Sequence, residues 1–66
     1  MIFYGVATVQ NATQLDNLLE CIRILGGDPR HNSNDVVVEY EGTKDECDIF
    51  IKLFEHYPEH GIYTED

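Results

Sequence analysis

Two cysteines and a pair of histidines are the side chains whose spacing could support redox or metal chemistry. Cys21 and Cys47 stand far apart, with no C-x-x-C pair and no neighbouring histidine to complete a zinc set. We predict that both are small, buried thiols. His56 and His60 have the i, i+4 spacing of a helical metal pair, but Pro58 between them should end the helix, and no third ligand is evident. The sequence therefore predicts no metal or cofactor.

Catalytic groups are equally sparse. Nucleophilic or acid–base catalysis needs a nucleophile, a base and an orienting group in one pocket. Ser33 is the only serine, and it lies among turn-forming residues whose backbone chemistry already accounts for it. Gly26-Gly27 closes a helical pattern instead of opening one, so it does not form a phosphate loop. We expect a protein that is not an enzyme.

Carboxylates are the most abundant charged side chains. The 66 residues include 13 Asp+Glu against four Lys+Arg, for a formal charge of −9. Residues 35–66 hold ten of the acids and only two lysines. A protein that grips nucleic acid neutralises phosphates with clustered Lys and Arg, so direct nucleic-acid binding is not expected, and anionic membranes are disfavoured for the same reason. Any electrostatic function should lie in the second half of the chain.

Two amphipathic helices are predicted to position these groups. The first begins at Asn11 or Thr13, both N-cap residue types, and ends at Gly26-Gly27. Its apolar stripe is Leu15, Leu18, Leu19, Ile22 and Leu25. The second begins at the S/T-x-x-E capping box Thr43–Glu46 and ends before Pro58. Its stripe is Cys47, Phe50, Ile51 and Phe54.

Three strands are predicted around the helices: Ile2–Val9, Val36–Glu41 and Gly61–Thr64. In the middle one, Val36, Val38 and Tyr40 should face the core, and Val37, Glu39 and Glu41 the opposite side. A brief edge strand before the turn at 32–35 is an open alternative, because Pro29 is tolerated at a sheet edge.

The fold class follows from this order. With the edge strand it is βαββαβ, a ferredoxin-like α+β two-layer sandwich; without it, a three-stranded βαβαβ layer carries both helices on one face. The length predicts a single small domain over residues 1–66. No apolar run approaches the ~20 residues that span a bilayer, and the N-terminus lacks the basic lead of a signal peptide, so we expect a cytoplasmic location.

Both helices carry more apolar residues than a two-layer domain needs. The surplus lies at Ile49 and Leu53 on the second helix and at Cys21 and Ile24 on the first. Two explanations remain open. Either the helices bury this extra surface against each other, or it forms a homodimer interface.

The acids form a candidate partner-binding face. Glu39 and Glu41 project from one side of a strand about 6.8 Å apart, close to the spacing of phosphates along a nucleic-acid strand. Asp45, Asp48 and Glu55 project from the outer side of the second helix, and Glu59, Glu65 and Asp66 extend the acidic region. A field of one sign costs stability by self-repulsion, which points to a partner of the opposite sign, although solubility alone is the simpler explanation.

In size, in a pI near 4.4 and in the acidic run from Glu39 to Asp66, the chain resembles small phage and mobile-element proteins that inhibit host nucleic-acid machinery by mimicking DNA, anti-CRISPR and anti-restriction proteins among them. The resemblance implies a non-enzymatic inhibitor whose acidic face occludes a basic, nucleic-acid-binding surface of a host protein complex. The alternative function is a homodimeric accessory or regulatory domain that uses its acids only for solubility.

Overall fold

Six secondary-structure elements follow one another in the predicted order. The computed structural model describes residues 1–66. The elements are β1 (Ile2–Thr8), α1 (Ala12–Ile24), β2 (Asp28–Asn32), β3 (Asp35–Glu41), α2 (Lys44–Glu55) and β4 (His60–Glu65). The short edge strand is therefore present as β2. The ferredoxin-like α+β sandwich is confirmed, and the three-stranded alternative is wrong.

The four strands form one antiparallel sheet in the order β2-β3-β1-β4. Strand β1 lies at the centre, where Ile2 pairs with Glu41 on one side and with Glu65 on the other. Strand β2 is an edge strand, as Pro29 requires, and it joins β3 in a hairpin. The hairpin turn places Ser33 at a φ of 57°, a left-handed conformation that turn residues adopt.

Side-chain caps fix the start of each helix. The Asn11 side chain accepts a hydrogen bond of 2.8 Å from the Gln14 amide, so Asn11, not Thr13, is the N-cap of α1. At α2, the Glu46 amide donates to Thr43 Oγ1 at 3.2 Å, and the Thr43 amide donates to Glu46 Oε1 at 2.9 Å. The predicted capping box is therefore confirmed in both directions.

Both helices cover the same face of the sheet, and the core lies between the two layers. Its centre is an aromatic cluster in which the Phe3 ring lies 5.6 Å from Phe50 and 5.3 Å from Phe54, centroid to centroid. The apolar residues of this core are Phe3, Ala7, Val9, Leu18, Leu19, Ile22, Val36, Val38, Cys47, Phe50 and Phe54. Neither helix is long and apolar enough to span a bilayer.

Candidate functional site

The face of the sheet that the helices leave uncovered carries alternate residues of all four strands. Because paired residues in an antiparallel sheet project to the same side, the register arranges them in rows. One row runs Glu41, Ile2, Glu65, and the next runs Asp28, Glu39, Tyr4, Tyr63. A third row is Arg30, Val37, Val6, Gly61. We call this surface the open face.

The structure divides the predicted acidic face between two sides of the molecule. Glu39, Glu41 and Glu65 lie on the open face, and Glu59 continues the β4 register there, since its carbonyl accepts a 2.9 Å hydrogen bond from the Thr8 amide. Asp45, Asp48 and Glu55 lie on α2, in the opposite layer, and Asp66 follows β4. In a two-layer sandwich the exposed sides of sheet and helix point in opposite directions. The eight acids therefore do not form one continuous plane.

Hydrogen bonds distinguish the acids from one another. Asp35 accepts from the Thr8 hydroxyl at 2.7 Å, and Glu46 is held by the α2 cap. Hydrogen bonding with the Thr43 amide and hydroxyl, and then with the Tyr40 hydroxyl at 3.3 Å, lowers the pKa of Glu46 below its ordinary value. No comparable bond fixes Glu39 or Glu41, which remain exposed. Those two carboxylates are therefore accessible to solvent.

A pair of tyrosines lies on the β1–β4 side of the open face. The rings of Tyr4 and Tyr63 lie 5.8 Å apart, centroid to centroid, and tilt by 40°. The Tyr63 hydroxyl donates to Glu65 Oε2 at 3.2 Å. Partial burial raises the pKa of Tyr4 above its ordinary value, and the charges of Glu39 and Glu65 raise it further. The rings therefore lie in a region of negative potential.

Sequence reasoning missed the tyrosine pair. Strand β1 is apolar on both sides, so its pattern does not show which residues face the helices. The alternation of apolar and acidic residues in β3 contains the information that β1 lacks. Once Glu39 and Glu41 are placed outward, pairing with β1 brings Tyr4 and Ile2 to the same side.

The four residues of the apolar surplus come together as a second surface. Cys21, Ile24, Ile49 and Leu53 line a shallow groove of about 330 Å³ between α1 and α2, with Leu25, Lys52 and His56. Ile24 is 76% exposed and Ile49 49% exposed, whereas Leu53 packs partly against the core. The helices do not bury this surplus fully against each other. We call this surface the helix groove.

The cysteines and histidines considered for redox or metal chemistry do not come together in the structure. Cys47 is buried as predicted, but Cys21 is exposed at the helix groove, so the prediction of two buried thiols is wrong for Cys21. On α1 the core positions are taken by Leu18, Leu19 and Ile22, and Cys21 lines the helix groove instead. Helix α2 ends at Glu55 with His56 as C-cap, and His60 belongs to β4, where its Nδ1 lies 2.6 Å from the Tyr57 carbonyl oxygen. No helix therefore holds the two histidines in register.

No protein-family model, curated protein or solved structure matched the chain.

Proposed function

We propose that this chain is a non-enzymatic acidic binding protein that docks its open face on a basic, nucleic-acid-binding surface of a host protein and occludes it. The observation that carries the proposal is the row structure of the open face. Glu41 and Glu65 flank Ile2 in one row, and Asp28 and Glu39 stand beside the tyrosines in the next. Carboxylates in adjacent rows present a regular negative surface to a cationic partner.

The charge of the chain supports a cationic partner. Even if all four Lys+Arg were paired, nine of the 13 acids would lack a basic side chain. Arg30 is the only Lys or Arg in the rows of the open face. Binding to a basic surface would relieve this repulsion, and it would weaken as salt screens the attraction, since the Debye length is about 8 Å at 0.15 M.

The test compares two variants with the same change of charge. Glu39→Lys with Glu41→Lys alters the open face, and Glu20→Lys with Glu55→Lys alters two exposed helix positions. Partners would be captured from a nuclease-treated bacterial lysate at rising salt, with and without competing duplex DNA. We expect the parent and the helix variant to retain a basic partner that salt and DNA displace, and the open-face variant to lose it. Equal capture by the open-face variant at every salt concentration would sink the proposal.

A second candidate function is a homodimeric accessory or regulatory domain, and the helix groove favours it. The lining of this groove contains no carboxylate and includes Lys52. In a chain of charge −9, a second copy docked on this groove would meet no carboxylate from its lining. Ile49→Asp with Leu53→Asp should then convert a dimer to a monomer in sedimentation, while Val37→Asp on the open face should leave the dimer intact. A parent that stays monomeric at high concentration eliminates this candidate.

A further inference from the structure

A groove on the open face combines an apolar half with an aromatic and acidic half. It has a volume of about 460 Å³, and its side-chain lining is Tyr4, Val6, Val37, Glu39 and Tyr63, with Gly61 opposite Val6. We call it the tyrosine groove. It lies on the surface assigned above to a basic partner, so the inference drawn from it rests on the proposed function.

The apolar half is open because Gly61 has no side chain. A methyl group at position 61 would lie 3.2 Å from Val6 Cγ1, so even one carbon atom would fill the space beside this valine. Val6 and Val37 are 37% and 48% exposed. A hydrocarbon stem of three or four methylenes, as in a long basic side chain, could cover both valines and remove apolar surface from water.

The aromatic half suits a cation. Tyr63 is 58% exposed, so its ring is accessible beside that of Tyr4. Cations are attracted to the electron-rich faces of aromatic rings, and guanidinium groups also stack on them. Glu39 pairs directly with Tyr4 in the sheet, and Glu65 accepts the Tyr63 hydroxyl. An anionic ligand would be repelled from this end of the groove.

The one arginine of the open face lies elsewhere. Arg30 projects from the edge strand β2, two strands away from Tyr4 and three from Tyr63, and lines an adjoining depression that shares Val37 and Glu39 with the tyrosine groove. It stands across the ladder from Val37, not from Tyr4 or Tyr63. The β1–β4 side of the open face, where the rings lie, therefore carries negative charge without a basic side chain from the rows.

We propose that the tyrosine groove receives an arginine side chain of the basic partner. The methylenes cover Val6 and Val37, and the guanidinium stacks on the tyrosine pair within reach of Glu39. Arginine fits better than lysine because a planar guanidinium both stacks on a ring and forms two parallel hydrogen bonds with a carboxylate.

The probes are three capped tripeptides, Ac-Gly-Xaa-Gly-NH2, in which Xaa is arginine, lysine or citrulline. Citrulline keeps the shape of arginine but is uncharged. In an NMR titration that follows backbone amides in proton–nitrogen spectra and aromatic rings in proton–carbon spectra, we expect saturable shifts at the Gly61 amide and at both tyrosine rings with arginine, in the millimolar range, about 1 mM or above. Lysine should bind several-fold more weakly, and citrulline should produce no saturable shift.

Two substitutions on the exposed ring separate cation binding from packing. Tyr63→Leu should weaken arginine binding by about five-fold, because it removes the aromatic face, while Tyr63→Phe keeps the ring and should bind nearly as the parent does. Equal binding of citrulline, unchanged affinity in Tyr63→Leu, or shifts of similar size at the α1 and α2 acids would each overturn the proposal. So would the absence of saturation up to about 20 mM arginine peptide.

The two levels fail separately. If Glu39→Lys with Glu41→Lys abolishes capture of a basic partner while the arginine peptide leaves Tyr63 unshifted, the proposed function stands and the arginine site is wrong. If the arginine peptide binds with the expected selectivity but no captured partner responds to salt, the site stands and the proposed function is wrong.

Discussion

The two faces of the sheet contain similar apolar residues but differ in how far these residues are buried. On the covered face, Phe3, Ala7 and Val36 are fully buried. On the open face, Val6 and Val37, the next residues along the same strands, are 37% and 48% exposed. Apolar composition therefore does not separate the faces, whereas the helix layer does. Folding buries the apolar area of the covered face, whereas the open face keeps part of its apolar area exposed beside the carboxylates of Glu39 and Glu41.

The largest contrast should come from Phe54. Its ring packs 5.3 Å from Phe3 and is fully buried, so Phe54→Ala should cost about 3–5 kcal/mol and leave a domain of this size mostly unfolded. Val37→Ala, on the open face, should cost about 1 kcal/mol or less. Urea unfolding followed by circular dichroism measures both. A cooperative transition for Phe54→Ala near the parental midpoint would show that the covered face does not dominate stability.

Alanine substitutions at two glycines, one on each face of the sheet, should give a smaller difference in stability. A methyl group on Gly5 would collide with the Phe3 ring and lie 3.0 Å from Phe54 Cδ2, inside the core. Gly5→Ala should therefore cost about 1–3 kcal/mol by overpacking. Gly61→Ala meets only Val6, at 3.2 Å, and this valine is partly exposed and able to shift, so its effect should stay within about 0.5 kcal/mol. Thermal melts of the two variants side by side would test this, and similar losses would contradict it.

A third comparison tests whether exposure alone predicts tolerance. Thr43 is exposed, yet its hydroxyl accepts a hydrogen bond from the first turn of α2. Thr43→Ala should cost about 1 kcal/mol, because a backbone donor loses its partner. Thr13→Ala, at an exposed position one residue inside α1, serves as the control and should be nearly neutral. Equal unfolding midpoints for Thr43→Ala and the parent would mean that the cap contributes nothing.

The smallest changes in stability should come from neutralising carboxylates, and Glu46 should behave differently from Glu39 and Glu41. The pKa of Glu46 is lowered in the folded state, so its ionised form stabilises the fold at neutral pH, and this contribution is lost as the pH falls through the lowered value. Glu46→Gln should therefore destabilise at pH 7, by an amount that shrinks in acid. Glu39→Gln with Glu41→Gln removes unbonded, mutually repelling charges and should leave stability unchanged or raise it. Unfolding midpoints from pH 7 to pH 3 distinguish the two, and a shared sign would refute the contrast.

The sequence predicts the fold well because most elements contain an alternation or a cap. Strand β3 alternates apolar and acidic residues, which is why Val36 and Val38 were placed inward correctly. The capping box at Thr43 marks the start of α2 in the same direct way. Strand β1 has no such contrast. Its inward residue Phe3, at the centre of the core, is identified only when pairing with β3 sets its side.

The candidate site was less predictable from the sequence, because its composition depends on which residues the sheet and the helix layer each expose, and these two layers face opposite sides of the molecule. Glu39 and Asp45 are close in sequence and both exposed, but one belongs to the sheet and the other to the helix layer. A list of exposed acids does not contain this separation. The tyrosine pair joins residues 4 and 63, whose proximity requires the β1–β4 register. Such contacts between distant segments follow from topology, not from local pattern.

The central position of β1 also affects how fast the domain assembles. Its two ladder partners lie far away along the chain, since Ile2 pairs with Glu41 and with Glu65. To form either pairing, the chain must first close a long loop, which costs conformational entropy. Only the β2–β3 hairpin pairs strands that are close in sequence. Helices and this hairpin can form early, while the Phe3 ring waits for β3 and β4 to align. Because folding slows as contacts join more distant segments, this domain should fold more slowly than a helical bundle of the same length.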